Sequence, residues 1–230
     1  MLNSAGNISK SVDIPLIADI DTGYGNPINV VRTVNDVIDQ GIACAILEDQ
    51  EWPKRCGHLD GKRVISIEEH VEKIRAVRSV SWESGLVIVA RTDTRAELGL
   101  TDAIQRGNAY YEAGADVIFI EAPQTEEELG EIPSALPDIP LLANMIVGGK
   151  APCLSAQDLE KLGFKLGVFA LSGLFAATKG IEDCFRFLKE NGTTSGFEKR
   201  SLLADYKEII SIKKYQELEG KFSIRKPHTE

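Results

Sequence analysis

The four cysteines, Cys44, Cys56, Cys153 and Cys184, form no CxxC pair, so the sequence has neither a zinc-binding nor a disulfide framework. No apolar run approaches the roughly 18 residues that span a bilayer, and no membrane partner is expected. Met1-Leu2-Asn3-Ser4 has no basic stretch leading into an apolar core, so it does not read as a secretory signal. Free thiols without an export signal point to the cytoplasm. Basic residues are the minority, 26 Lys and Arg against 35 Asp and Glu, for a net charge of −9. A phosphate backbone needs a basic surface, so a nucleic-acid partner is excluded on charge. An acidic protein that binds an acidic metabolite needs a metal ion or a local cluster of cations, and both are sought below.

The chain has 230 residues and is 43% hydrophobic, enough for one sizeable core and a single domain over residues 1–230. No Gly/Ser linker, low-complexity stretch or internal repeat divides it. Short apolar runs alternate with longer amphipathic stretches. The runs Ile14–Ile20, Ala43–Leu47, Leu86–Ala90, Val117–Ile120, Leu141–Ala143 and Leu166–Leu171 are near-continuously apolar, as parallel strands buried on both faces are. Helical patterns cover Asn29–Gln40, Ser66–Val80, Thr101–Ala113, Thr125–Leu136, Ser155–Leu162 and Ser172–Asn191. A further helical segment spans residues 197–220.

Repeated βα units predict an α/β fold with a parallel sheet. An open doubly wound sheet gathers its site at one crevice, whereas a barrel brings polar residues from many strand ends to one rim. Here nearly every strand ends in such a residue: Asp19 and Asp21, Glu48, Arg91 and Asp93, Glu121, Asn144. That distribution favours a (β/α)8 barrel of the TIM type. Only six strands are read, so the first two βα units are expected to be missing.

Three constellations carry chemistry. In Ala18-Asp19-Ile20-Asp21-Thr22-Gly23, two carboxylates two residues apart point to the same side of a strand. With Glu48, they offer the oxygen ligands that Mg²⁺ prefers; an ordinary turn and N-cap is the competing reading. In Lys54-Arg55-Cys56-Gly57-His58, a thiol lies among cations and beside a histidine. Such surroundings lower a thiol's pKa and suit it to acid–base work or nucleophilic attack. In the third group, Arg91 offers a bidentate fork for a carboxylate, Asn144 a second donor, and Glu121 an orienting carboxylate. A buried rim ion pair between Arg91 and Glu121 is the alternative there.

Taken together, Asp19-Ile20-Asp21-Thr22-Gly23-Tyr24-Gly25-Asn26, Glu48-Asp49-Gln50, Lys54-Arg55-Cys56-Gly57-His58, Ala90-Arg91-Thr92-Asp93, Glu121-Ala122-Pro123 and Asn144–Lys150 resemble the isocitrate lyase / phosphoenolpyruvate mutase superfamily. Within it, the branch of 2-methylisocitrate lyase, 2,3-dimethylmalate lyase and petal death protein is the most similar. The resemblance implies a β/α barrel, with residues 197–220 exchanged between subunits of a homotetramer. It implies Mg²⁺, or Mn²⁺ in its place, held by Asp19, Asp21 and Glu48. Lys54, Arg55, Cys56 and His58 would form the catalytic loop, and Gly57, Arg91, Glu121 and Asn144 the substrate pocket. The cysteine loop is that of the lyases rather than the phosphonate mutases. The implied activity is cleavage of a small di- or tricarboxylic acid, a 2-substituted malate or a methylisocitrate-type acid, into a 2-keto acid and a carboxylate.

Overall fold

The computed structural model describes residues 1–57 and 61–222. Contacts divide the chain into two compact units, Met1–Ser172 and Gly173–Glu230.

The first unit opens with helix α1 (Leu2–Ser9), which the hydrophobic pattern does not announce. Six parallel strands follow: β1 (Ile17–Asp19), β2 (Cys44–Glu48), β3 (Val87–Thr92), β4 (Val117–Ile120), β5 (Leu141–Asn144) and β6 (Leu166–Val168). They pair in sequential order β1-β2-β3-β4-β5-β6, with no reversal anywhere in the sheet. A doubly wound sheet would show a reversal; unbroken succession is the order of a barrel. The sheet curls as a half-barrel.

The connecting helices start where the sequence supplies caps. Helix α2 (Pro27–Asp39) begins with proline at its first turn, and the Asn26 side chain accepts from the backbone of Ile28 and Asn29. Helix α3 (Ile67–Ser81) is capped by Ser66, which accepts from Glu69 N–H at 3.2 Å. A short helix α4 (Arg95–Leu98) precedes α5 (Leu100–Glu112). Thr125 caps α6 (Glu126–Ala135) and Ser155 caps α7 (Ala156–Leu162). Gly163, at φ 112°, ends α7 in a conformation that only glycine adopts without cost.

Two apolar clusters bind the sheet to its helices: one around Ile74, Tyr110, Ile118 and Leu129, the other around Val34, Val37, Leu47 and Ile88. A third lies on the opposite, inner sheet face and contains Cys44, Val89, Val117, Phe119 and Leu142. Two expected strands are shorter than their apolar runs. Residues 14–16 precede β1, and residues 169–171 lead into the next helix rather than extending β6.

The second unit holds helix α8 (Ser172–Asn191), which begins at the boundary, and then α9 (Leu203–Ile209) and α10 (Ile212–Phe222). The single helical segment expected over 197–220 is thus two helices, broken at Ser211 with φ 53°. Within this unit Phe187 packs on Phe197 with ring centroids 5.8 Å apart.

Candidate active site

Side chains alternate across a strand, so parity decides which residues share a face. Cys44 and Ile46 belong to the inner cluster, and Glu48 is next in that series. Val89 points inward, hence so does Arg91, which pairs directly with Glu48 across β2 and β3. Phe119 leads in the same way to Glu121 and Leu142 to Asn144, while Asp19 pairs with Ile46. The inner cluster therefore ends, at the C-terminal edge of the sheet, in Asp19, Glu48, Arg91, Glu121 and Asn144. Left-handed backbone at Asp21 (φ 52°) and Ala122 (φ 56°) marks the same rim; such strain in non-glycine residues concentrates at functional sites.

Arg91 is the hub. Its guanidinium grips Asp93 through Nε–H to Oδ2 at 2.8 Å and Nη2–H to Oδ1 at 3.0 Å. It also faces Glu121 at 3.4 Å and Glu48 at 3.6 Å, and its charge lies over the Phe119 ring. Burial alone would favour a neutral guanidinium, but Asp93, Glu121 and Glu48 outweigh it and push the pKa up. Asn144 Nδ2 stands 3.5 Å from Glu121 Oε2.

Glu48 is fully buried, and among the described residues neither carboxylate oxygen has a hydrogen-bond partner. Arg91 at 3.6 Å and Lys54 at 3.7 Å are ion-pair neighbours beyond hydrogen-bonding distance. Burial therefore pushes Glu48 up to about 8, with Arg91 opposing the shift. Lys54 Nζ lies 2.7 Å from Asp21 Oδ1, and Asp21 N–H donates to Asp19 Oδ1 at 2.8 Å. Burial disfavours the Lys54 ammonium, but the hydrogen bond to Asp21 and the charges of Glu48, Asp19 and Asp21 prevail and raise its pKa.

The cysteine loop is fastened on both sides of Cys56. Gln50 clamps the backbone of Arg55: its Nε2 donates to the Arg55 carbonyl at 2.8 Å, and its Oε1 accepts from Arg55 N–H at 2.9 Å. Gly57 is buried against the hub. A Cβ there would lie 2.5 Å from Arg91 Nη2 and 2.7 Å from Glu121 Cγ, so only glycine permits this approach. Lys62, itself buried, donates to the Gly57 carbonyl and pairs with Asp93 at 3.4 Å. Cys56 is exposed between these anchors. His58 lies outside the described residues. Asp19, Asp21, Glu48, Lys54, Gly57, Arg91, Glu121 and Asn144 are thus gathered at one rim, with Arg55 and Cys56 on the loop that reaches it.

Three supporting residues were given no role from sequence: Gln50, Lys62 and Asp49. Asp49 accepts from Asp93 N–H at 3.0 Å and from the Tyr110 hydroxyl at 2.8 Å, and it pairs with Arg106 at 3.2 Å. Its only signal in the sequence is a carboxylate at a position whose parity directs it away from the rim, into an apolar layer. A cavity of about 480 Å³ beside the loop is walled by Thr22, Tyr24, Gln50, Trp52, Glu69 and Lys73. None of the rim carboxylates lines it, so the chemistry and not that hollow marks the site.

A magnesium ion fits these donors. Among the described residues no three His, Cys, Asp or Glu side chains converge closely enough to enclose an ion by themselves. Magnesium does not need such a cage, because it binds through one or two carboxylates and keeps several waters. Asp21 and Glu48 already share one cation, Lys54, and among the described residues the buried Glu48 oxygens have no hydrogen-bond donor.

A parallel sheet in barrel order, with an acidic rim and a basic cysteine loop, defines a TIM-barrel-type domain. The chain belongs to the phosphoenolpyruvate mutase / isocitrate lyase superfamily: the family model described as phosphoenolpyruvate phosphomutase matches residues 1–188. It is 44% identical over 219 residues to the chloroplastic carboxyvinyl-carboxyphosphonate phosphorylmutase of Arabidopsis thaliana, covering 94% of this chain and 64% of that one. It is 39% identical over 224 residues to 2,3-dimethylmalate lyase of Eubacterium barkeri, covering 97% and 77% respectively. Oxaloacetate acetylhydrolase bound to the inhibitor 3,3-difluorooxalacetate superposes with a TM-score of 0.92 at 34% identity, over 98% of this chain and 77% of that one. Phosphonopyruvate hydrolase in complex with oxalate and Mg²⁺ gives 0.85 at 27% identity, over 96% and 77%. The chain therefore spans about two thirds to three quarters of the length of these relatives.

Proposed function

We propose that this protein is a magnesium-dependent carbon–carbon lyase that cleaves a 2-substituted malate or related acid into a 2-keto acid and a carboxylate. The observation that supports the reading is the seating of the cysteine loop: Gly57, next to Cys56, rests on Arg91 and Glu121 of the rim. Resemblance to 2,3-dimethylmalate lyase supports the substrate class, and a magnesium-bound relative supports the metal.

Asp19, Asp21 and Glu48 would hold the ion. When bound, Mg²⁺ supplies a lowered pKa for the substrate's hydroxyl and positive charge beside its carboxylate oxygens. Arg91 and Asn144 hold a substrate carboxylate by charge-assisted hydrogen bonds. As the hydroxyl's proton passes to a solvent water, a carbonyl forms, the adjacent C–C bond breaks, and its electron pair passes to the departing carboxylate as an enolate. Cys56 gives that enolate its thiol proton and becomes a thiolate, which Lys54, Arg55 and His58 stabilise by local positive charge.

Likeness to oxaloacetate acetylhydrolase favours a second reading, hydrolysis of oxaloacetate in the same pocket. Likeness to the Arabidopsis phosphorylmutase raises phosphorus–carbon chemistry, against which the cysteine loop argues. One NMR panel with Mg²⁺ separates the three, using 2-alkylmalates, oxaloacetate and a phosphonate followed by ³¹P. Keto acid from an alkylmalate supports the lyase; acetate and oxalate from oxaloacetate alone, or a shifted phosphorus signal, replaces it. The reading includes a homotetramer, supported by exposed apolar side chains such as Leu174, Phe185 and Ile209; sedimentation of the full chain measures its mass.

A further inference from the structure

Lys54 stands where two acidic rim residues come together. Its Nζ is 2.7 Å from Asp21 Oδ1 and 3.7 Å from Glu48 Oε1. Among the described residues Glu48 is buried without a hydrogen bond to either oxygen, and Lys54 faces it from the loop as Arg91 does from the neighbouring strand. We propose that Lys54 is the built-in counter-cation of the divalent-metal site, occupying Asp21 and Glu48 while metal is absent and displaced when the ion binds. This rests on the magnesium reading above and adds to it a competition that sets metal affinity.

Lys54 Nζ lies on Asp21 Oδ1, and a divalent ion held by Asp21 and Glu48 would stand beside that ammonium. The two cations would be within a few ångströms of each other, with their repulsion little screened in a partly buried pocket. Lys54 has a route out: its side chain is about 29% exposed and its four-carbon stem is flexible. The loop backbone need not move with it, because Gln50 holds Arg55 and Gly57 is seated independently. The competitor is thus tethered at fixed concentration beside the site. Metal must overcome it at every binding event, which weakens apparent affinity and keeps Glu48 partnered between them.

The test is calorimetric titration of the full chain with Mg²⁺ and with Mn²⁺, in wild type, Lys54→Met, Arg55→Met and Asp21→Asn. Breaking a partly exposed charged hydrogen bond makes the expected gain in Lys54→Met about fivefold. Arg55→Met removes the same charge from the same loop and should tighten binding by less, which separates displacement from the general field. In parallel, amine acylation read by mass spectrometry should label Lys54 at least about threefold faster at saturating Mg²⁺, with exposed Lys161 unchanged, because a released side chain is more accessible to the reagent. Equal metal affinity in wild type and Lys54→Met, or an equal gain in Arg55→Met, overturns the proposal while leaving the metal site standing. So does unchanged or slower acylation of Lys54. No metal binding in either wild type or Lys54→Met, or undiminished binding in Asp21→Asn, overturns the magnesium reading and the competition together.

Discussion

Arg91 and Asp93 are joined by two parallel hydrogen bonds, 2.8 and 3.0 Å long, at the centre of the rim. Both residues are buried, and Arg91 also answers to Glu48 and Glu121. The fork fixes the plane of the guanidinium, and so fixes which of its edges faces the pocket. Arg91→Ala would leave these carboxylates without their common cation. Removing one partner of a buried pair costs about 3–5 kcal/mol, and chemical denaturation should show a loss of that order. Arg91→Lys keeps the charge but not the fork, and should fall between the two proteins.

Gly57 makes a sharper test of the loop. A methyl group at this position collides with Arg91 and Glu121, so Gly57→Ala should lift the loop from its seat. Because the neighbouring Arg55 and Cys56 are exposed and the loop can lift, thermal stability should change less than in Arg91→Ala. If the seated loop carries Cys56 to substrate, turnover should drop by about 10²-fold, the scale of a lost acid–base group. Wild-type turnover in Gly57→Ala would show that the seat plays no part in the reaction.

His70 gives a pH prediction independent of the site. It is fully buried against Tyr110, ring centroids 4.5 Å apart, with neither ring nitrogen hydrogen-bonded. Burial, reinforced by Lys73 and Arg106, pushes its pKa down to about 3. The unfolded chain binds that proton near pH 6.5 and the folded chain does not, so folding loses stability as pH falls from 6.5 towards 3. Carboxylates titrate in the same range, so the comparison must be with His70→Met. Below pH 6.5 wild type should lose about 1.4 kcal/mol per pH unit more than the variant. Parallel pH profiles would contradict it.

Glu48 should trade stability for function. With its folded pKa raised to about 8 and its unfolded value near 4.5, the folded protein holds the extra proton. The stabilisation from this proton is full below pH 4.5 and lost as pH rises through 8. Glu48→Gln cannot ionise, so in EDTA above pH 8 it should melt at a higher temperature than wild type. Added Mg²⁺ should stabilise wild type but not the variant. A lower melting temperature for Glu48→Gln under those conditions would contradict this account of its burial.

Much of this was legible in the chain itself. The apolar runs locate all six strands because strands buried on both faces leave a continuous signal, and polar residues at their ends foretell a shared rim. Parity within each run separates rim residues such as Glu48 from Asp49, which turns outward into the Tyr110 and Arg106 network. Strand ends were less legible: the runs at 14–16 and 169–171 are apolar without pairing, since hydrophobicity reports burial and not hydrogen bonding. Helix α1 left no trace, because Leu2–Ser9 is short and mostly small and polar. The seat of Gly57 and the roles of Gln50 and Lys62 depend on residues distant in sequence meeting in space. Spacing does not encode those meetings.

The central claim is that a thiol at the rim delivers a proton to carbon. Its most direct measurement is cleavage of a 2-alkylmalate in D₂O with Mg²⁺, comparing wild type with Cys56→Ser by NMR. Wild type should release a 2-keto acid and a carboxylate carrying one deuterium at the former bond, and Cys56→Ser should do so at least about 10²-fold more slowly. Equal rates and equal deuterium incorporation in the two proteins would remove Cys56 from the chemistry.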